Sequence, residues 1–409
     1  MTERRSFYRK LGYLGGIVVL LFPLAILSTP ATVKSHGGKL AELRKEYDLA
    51  QANLGVIDPA SEAMKLATLG LRGVAVNLLW NKAHHYKKTE NWTKLTAVLE
   101  QLAKLQPNYI SFWKFQAWNV SYNVSVEFDD YHDRYYYVIR GINFLKEGVR
   151  YNQTNKYIPR LLSDVGWFIG QKIRRADEHV QYRRLFKTDD DFHPTDRPLP
   201  DRDNCLVSKE WYDKAVDAVD NKGKSFGKAN PVVFYSKPAM SLLNYAETIA
   251  EEGAHRDKMR TAWKRAGEEW DRYGQHPILH STGMVLILGE IDRLKEQVDT
   301  LAAKLENLLP GTKNAMAAER RATLSDAQSE AYDTPAMERT EKQHKLFYEA
   351  EQALNVTDDE LAQRIAELAP EKEKEARLLA HDLEKARRRW RYTRNYRDTA
   401  NYTYWETRA

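Results

Sequence analysis

One cysteine occurs in 409 residues, Cys205, and that scarcity removes several chemistries at once. An intrachain disulfide, a CxxC redox pair, a CxxCH haem attachment and a thiolate-rich zinc site are all excluded. Exported proteins can also lack disulfides, so the count does not place the chain in the cytoplasm. Alternating strand patterns are scarce too, and the common catalytic signatures are missing: there is no HExxH, no Walker loop, no GxGxxG after a strand and no GxSxG. Neither an enzymatic activity nor a bound cofactor is expected from motifs of this kind. Net charge is low, with 63 basic against 57 acidic residues and a formal +6, too little to suggest a nucleic-acid partner. Long apolar runs are absent, with one exception.

That exception lies near the N-terminus. MTERRSFYRK carries Arg4, Arg5, Arg9 and Lys10 and precedes LGYLGGIVVLLFPLAILSTPA, about 21 residues without a charge. Such a run suffices as a helix to cross ~30 Å of hydrocarbon. The basic flank comes first, so the positive-inside rule puts Met1 in the cytoplasm and the bulk of the chain on the far side of the membrane. The expected location is a single-pass inner (cytoplasmic) membrane protein with an exported, periplasmic body. Cleavage as a signal peptide near Thr29, Pro30 and Ala31 is the alternative, and it exports the body equally.

The chain as a whole has the composition of a folded protein, with 43% hydrophobic, 29% charged and 11% aromatic residues. Its length exceeds one ordinary domain, which suggests a helical array or two to three packed units. From Ser61 onward the apolar spacing is helical. In NKAHHYKKTENWTKLTAVLEQLAKLQP, residues 81–107, and just ahead of it, Leu79, Ala83 and Tyr86 fall on one face of a first helix and Leu95, Leu99 and Leu102 on one face of a second. Glu90 and Asn91 break the two, and Pro107 ends the pair.

These offsets resemble the tetratricopeptide repeat, with Lys82 and Leu95 departing from its pattern. Adding the period of about 34 residues to Leu79 and Ala83 lands on Trp113 and Ala117, again a large and a small residue. A returning helix comes next at Gly141, Leu145 and Gly148, displaced by an insertion containing FDDYHDRYYY; a third first-helix carries Leu162, Val165, Gly166 and Ile169. A later pair is expected at 240–252 and 255–273, and the acid- and proline-rich KTDDDFHPTDRPLPDRDN between marks a long surface loop. The stretches LGLRGVAVNLLWNKA, LQPNYISFWKFQAWNVSYNVS and ADEHVQYRRLF are similar to those in uncharacterised membrane-anchored repeat proteins of planctomycete-type bacteria. That resemblance implies an architecture and no reaction.

Beyond the repeats, Ile291, Leu294, Val298, Leu301, Leu305 and Leu308 form a heptad seam, and 361–368 and 378–390 add amphipathic pieces. A helical hairpin within the chain accounts for the seam; a homodimeric coiled coil is the alternative, giving a homo-oligomer. The expected organisation is a basic tail at 1–10, an anchor at 11–31, linker and helix at 32–61, hairpins at 62–186, a loop at 187–206, further hairpins at 207–280, coiled-coil-like helices at 281–390 and a basic, aromatic tail at 391–409. The fold class is all-α, with a transmembrane helix ahead of a tetratricopeptide-like array and a coiled-coil-like C-terminal region.

This register also nominates functional residues. One step round from the packing face, Asn77, Trp80 and His84 on the first hairpin, Ser111, Lys114 and Trp118 on the second, and Arg160, Ser163 and Trp167 on the third would line an inner groove. Aromatic along its floor and flanked by Lys114 and Arg160, such a groove suits an extended peptide with apolar side chains and a carboxylate. Adjacent His84 and His85 point about 100° apart on a helix and do not share a metal. Asp129, Asp130, His132 and Asp133 are dense in ligand atoms but lack the glycine and terminal glutamate of an EF-hand. An enzyme site, the alternative to a binding scaffold, would be assembled from 127–135 and 176–179. Finally, Arg387, Arg388, Arg389 and Arg391 surround Trp390, a pattern that beyond a membrane points to anionic lipid or an acidic partner.

Overall fold

The computed structural model describes residues 72–105 and 107–408, with isolated positions 13, 15, 16, 19, 23, 38, 39, 42 and 43 ahead of them. The expected basic tail, anchor and linker therefore lie outside the described residues apart from those positions. Among the described residues no helix is long and apolar enough to cross a membrane. The fold is all-α but for one two-stranded hairpin. Two compact units divide the chain, Met1–Ala266 and Gly267–Ala409.

In the first unit α1 (Arg72–Lys88) and α2 (Trp92–Leu105) form the expected pair, broken where Glu90 turns into positive φ. The second pair is α3 (Ile110–Trp118) and α4 (Tyr131–Tyr151). Between them the helix does not stop but widens into a π-helical turn, Asn119–Val124, and a short tight turn, Ser125–Glu127. The expected insertion is thus absorbed by lengthening both helices, and most of FDDYHDRYYY is helical rather than looped. Then come α5 (Ile158–Arg174), α6 (His179–Thr188), α7 (Asn204–Asp220), α8 (Pro231–Glu251) and α9 (Arg256–Gln275), the last containing the division between units. The most extensive packing in the unit joins α5 to α7, so the partner of the third first-helix lies past the loop, not beside it in sequence.

Glycines in α4 decide how closely α3 approaches it. A Cβ on Gly148 would lie 2.7 Å from the Trp113 ring, and one on Gly141 would lie 2.8 Å from the Ala117 carbonyl oxygen. Trp113 is completely buried, stacks near Tyr151, and donates from Nε1 to the Pro107 carbonyl at 2.8 Å. Asn152 donates to the same carbonyl at 2.7 Å. The proline that ends α2 thereby supplies the acceptor that two buried donors need. Leu99, Leu102, Ala117, Ile142, Leu145, Val165 and Ile169 fill the surrounding core.

The acidic loop departs from the expected solvated one. Phe192, His193, Arg202 and Asp203 are buried. Arg183, on α6, donates to Asp203 at 2.8 Å and to Glu252 at 2.7 Å, and also contacts Asn204. Asp203 and Arg183 are both 2% exposed, so the loop's end is pinned in the interior by a charge pair. Asp203 also caps α7, accepting from the Cys205 amide at 2.9 Å. Cys205 itself is buried, which pushes its thiol up to about 12 and leaves no thiolate near neutral pH.

In the second unit β1 (Ile278–Leu279) pairs antiparallel with β2 (Val285–Leu286). Helices α10 (Ile291–Leu308), α11 (Thr312–Arg321), α12 (Asp326–Asp333), α13 (Glu341–Leu354), α14 (Asp358–Leu368), α15 (Glu373–Thr399) and α16 (Tyr402–Glu406) complete it. The heptad seam is satisfied within the chain: Val298 and Leu305 of α10 bury against Ala376, Ala380 and Leu383 of α15 and Leu361 and Ile365 of α14. Alanines on α15 let the leucine helix sit close. No boundary exists at 390, because α15 runs unbroken to Thr399. The expected basic tail is therefore the last part of a packed helix, and it bends only at Asn401, in the left-handed region.

Candidate partner groove

First-helix residues of the second, third and fourth hairpins meet along one face. Lys114 of α3 pairs with Asp164 of α5 at 2.7 Å, and Lys237 of α8 donates to Ser163 of α5 at 2.6 Å. Arg174 of α5 reaches Glu247 and Thr248 of α8 at 3.0 and 2.9 Å. This is the face on which the sequence register places the groove.

An aromatic row lies along this face. Trp118 stacks on Tyr122 with ring centroids 5.9 Å apart, and Tyr122 stacks on Trp167 at the same spacing. Lys172 sits over the Tyr122 ring, 4.4 Å from its centroid, in a cation–π contact. Tyr122 was not among the expected groove residues. It lies four residues after Trp118, in the π-helical turn, and residues four apart share a face of the helix. The nearest sequence signal is the run of aromatic and polar residues in FQAWNVSYNVS.

The other expected residues divide. Trp80 is exposed and meets Phe112 edge-on at 6.0 Å, outside the stacked row. His84 is exposed and has no ring or hydrogen-bond partner among the described residues, so it does not continue the row of Trp118 and Trp167. Arg160, Asn77 and Ser111 are exposed, whereas Ser163 is buried beneath Lys237. Trp118 is 40% exposed, which removes it from the core.

Burial raises the Asp164 carboxyl above its usual range despite the nearby Lys114, Lys237 and Arg160. Burial also lowers Lys172 and Lys237. One carboxylate thus serves several cations. The Lys114 end of its pair is half exposed whereas Asp164 is 14% exposed, so Lys114 can meet a second carboxylate from the solvent side without releasing Asp164.

The segments proposed for an enzyme site do come together, through an ion pair between Arg134 and Glu178. Asp130, however, caps α4, accepting from the His132 amide at 2.7 Å and its Nδ1 at 2.9 Å. Those bonds hold its carboxyl below the usual range. Among the described residues no group of three or more His, Cys, Asp or Glu is arranged to hold a metal.

In the second unit a cleft of about 1060 Å³ is lined by Arg387, Arg388, Trp390 and Arg391 together with Lys295 and Asp299. Its cations are mostly committed. Arg387 pairs with Asp358 at 2.9 Å, Arg388 with Glu384 at 2.7 Å, and Arg389, outside the cleft, approaches Glu290 at 3.6 Å. Arg391 is exposed. These pairs are partly exposed, but Trp390 is the single aromatic side chain in the lining, so the first unit's stacked row is the stronger candidate for apolar contacts. No protein-family model, curated protein or solved structure matches this chain.

Proposed function

We propose that the protein is a membrane-anchored, exported scaffold that captures an extended, acidic peptide segment of a protein partner in the groove of its first unit. The stacked row of Trp118, Tyr122 and Trp167, open to solvent at Trp118 and capped by Lys172, carries this reading. The indole of Trp118, open to solvent and held in place by stacking on Tyr122, offers apolar area with little conformational entropy left to lose on binding, and tryptophans are frequent hot spots. Lys114 and Arg160 beside them supply ionic contacts for a carboxylate. In this reading the helical pairs form a tetratricopeptide-like array, the second unit supports assembly, and the N-terminal run at 11–31 tethers the whole to a membrane.

The test is recovery of partners from mild detergent with the tagged native protein. Trp118→Ala combined with Lys114→Glu is expected to abolish recovery of specific partners while the protein stays folded at a cost of about 1–3 kcal/mol, since Trp118 is 40% exposed and Asp164 loses its cation. Undiminished recovery with a folded double variant overturns the groove.

A further inference from the structure

We infer that α1 is a second membrane contact, its outer face resting on the anionic lipid headgroups of the membrane that the run at 11–31 enters. The inference rests on the anchor reading of that run.

Among the described residues α1 packs chiefly on α2, with Val76, Leu79, Ala83 and Tyr86 turned to the core. The opposite side is unlike a solvated one. Val74 is 53% exposed and Leu78 59%, and the same line continues at spacings of four and three through Lys82, His85 and Lys88, all exposed. A surface helix normally keeps its apolar side chains on the face it buries. In α1 they stand on both faces, and cations follow the outward pair directly.

Charge is the second observation. The stretch Arg72–Lys88 contains no aspartate or glutamate. Lys82, Lys87 and Lys88 are exposed and hold no ion pair among the described residues. By contrast α10 and α15 neutralise exposed cations one turn along, Lys295 with Asp299 and Arg388 with Glu384. Helix α1 has no carboxylate with which to do so, and Glu90, in the turn after it, pairs with none of the three.

Apolar side chains beside unpaired lysines suit the boundary between acyl chains and anionic headgroups, where Val74 and Leu78 meet the apolar side and the lysine stems run up to the phosphates. Each lysine near such a surface strengthens binding about fivefold. Two apolar side chains and a few lysines bind weakly by themselves. The anchor run, however, ends about 40 residues ahead of α1, and a tethered surface is met at the effective concentration set by the tether, so a weak contact is enough. That tether favours the membrane over a free acidic protein, which α1 would meet only at that protein's own concentration.

Leu78→Cys carries the test, because Cys205 is buried and out of reach of a spin label. The full-length protein is placed in nanodiscs of equal parts phosphatidylglycerol and phosphatidylcholine, or of phosphatidylcholine alone. The nitroxide at position 78 is then relaxed with oxygen, which partitions into lipid, or with a neutral nickel chelate, which stays in water. In the anionic discs oxygen is expected to relax the label severalfold more than the chelate does. In phosphatidylcholine alone, or in anionic discs after Lys82→Glu, Lys87→Glu and Lys88→Glu together, the lipid-contacting fraction is expected to fall about tenfold or more. A label in water in the anionic discs overturns the inference, as does equal lipid contact in the two kinds of disc or undiminished contact in the triple variant. A label shielded from both reagents assigns the face to a protein contact and overturns it too. Protein that stays out of the discs altogether overturns the anchor as well, whereas protein held in the discs with its label in water overturns this contact alone.

Discussion

The two units solve the same problem, burying helices, with different materials. In residues 267–409 local signals are strong, because α12, α13 and α14 each begin with a capping box, at Ser325, Thr340 and Thr357, and ion pairs such as Lys295 with Asp299 and Arg388 with Glu384 link successive turns of one helix, while Arg397 ties the C-terminal helix to the distant Leu288 carbonyl at 2.9 Å. In residues 72–266 the decisive contacts join groups distant in sequence: Trp113 against Gly148, Ser121 donating to the Val138 carbonyl at 3.2 Å, Arg183 holding Asp203 and Glu252. Each unit also leaves polar groups buried without a hydrogen-bond partner among the described residues, the Gln116 amide in the first and the Trp270 Nε1 and Thr393 Oγ1 in the second, while the first alone adds a stacked row of Trp118, Tyr122 and Trp167 that opens to solvent at Trp118.

The sharpest way to break this contrast is Arg183→Met. It strands Asp203 in the interior, with Lys187 at 3.4 Å as the remaining cation, and is expected to cost about 3–5 kcal/mol in urea denaturation. A loss below about 1 kcal/mol would mean that the pair does not organise the unit. Leu305→Ala probes the second unit's core and is expected to cost about 2–4 kcal/mol, with an unchanged sedimentation coefficient because its partners lie in the same chain. Dissociation of an oligomer would instead assign the seam to a homodimer.

Smaller effects sharpen the comparison. Gly148→Ala pushes a methyl into the Trp113 ring and is expected to cost about 1–3 kcal/mol, visible as altered near-ultraviolet circular dichroism of the buried indole. Thr357→Ala removes a cap and is expected to cost about 1 kcal/mol. That change also has a pH signature. Hydrogen bonds from Thr357 and Arg320 hold the Glu360 carboxyl at about 2, below its ordinary 4.5, so the folded state binds fewer protons than the unfolded state between those values. The associated stability is present above pH 4.5 and is lost as pH falls toward 2. Because Glu360 is largely exposed the effect is below about 1 kcal/mol, and Thr357→Ala should flatten it in acid titrations of stability.

The helical pairs were legible because burial imposes a periodicity that apolar residues must obey: Ala83, Leu99, Trp113, Ala117, Val165 and Ile169 are all buried where the spacing places them. So were the breaks at Glu90 and Asn91 and the intrachain destination of the seam. Less legible was whatever depends on how one helix meets another. His84 was assigned to the row of Trp118 and Trp167 by carrying the repeat register back to the first helical pair, but that pair does not bring His84 to those rings, and Tyr122 stands between them instead. At the arginine-rich end Glu384 was within reach of the sequence, four residues before Arg388 on one helix, whereas composition does not reveal that Asp358 and Glu290 stand opposite Arg387 and Arg389.

Sequence alone determined the all-α class, the packing faces and the helix breaks, since these express the helix repeat and the conformational limits of single residues. Tertiary structure alone decided that Asp203 is buried, that Lys114 and Lys237 share Asp164, and that Gln116 is sealed without a partner among the described residues. The physical reason is range. Periodicity and capping act over a few residues and are written in order along the chain. Desolvation and charge pairing act through space, between groups whose separation in sequence carries no trace of their distance.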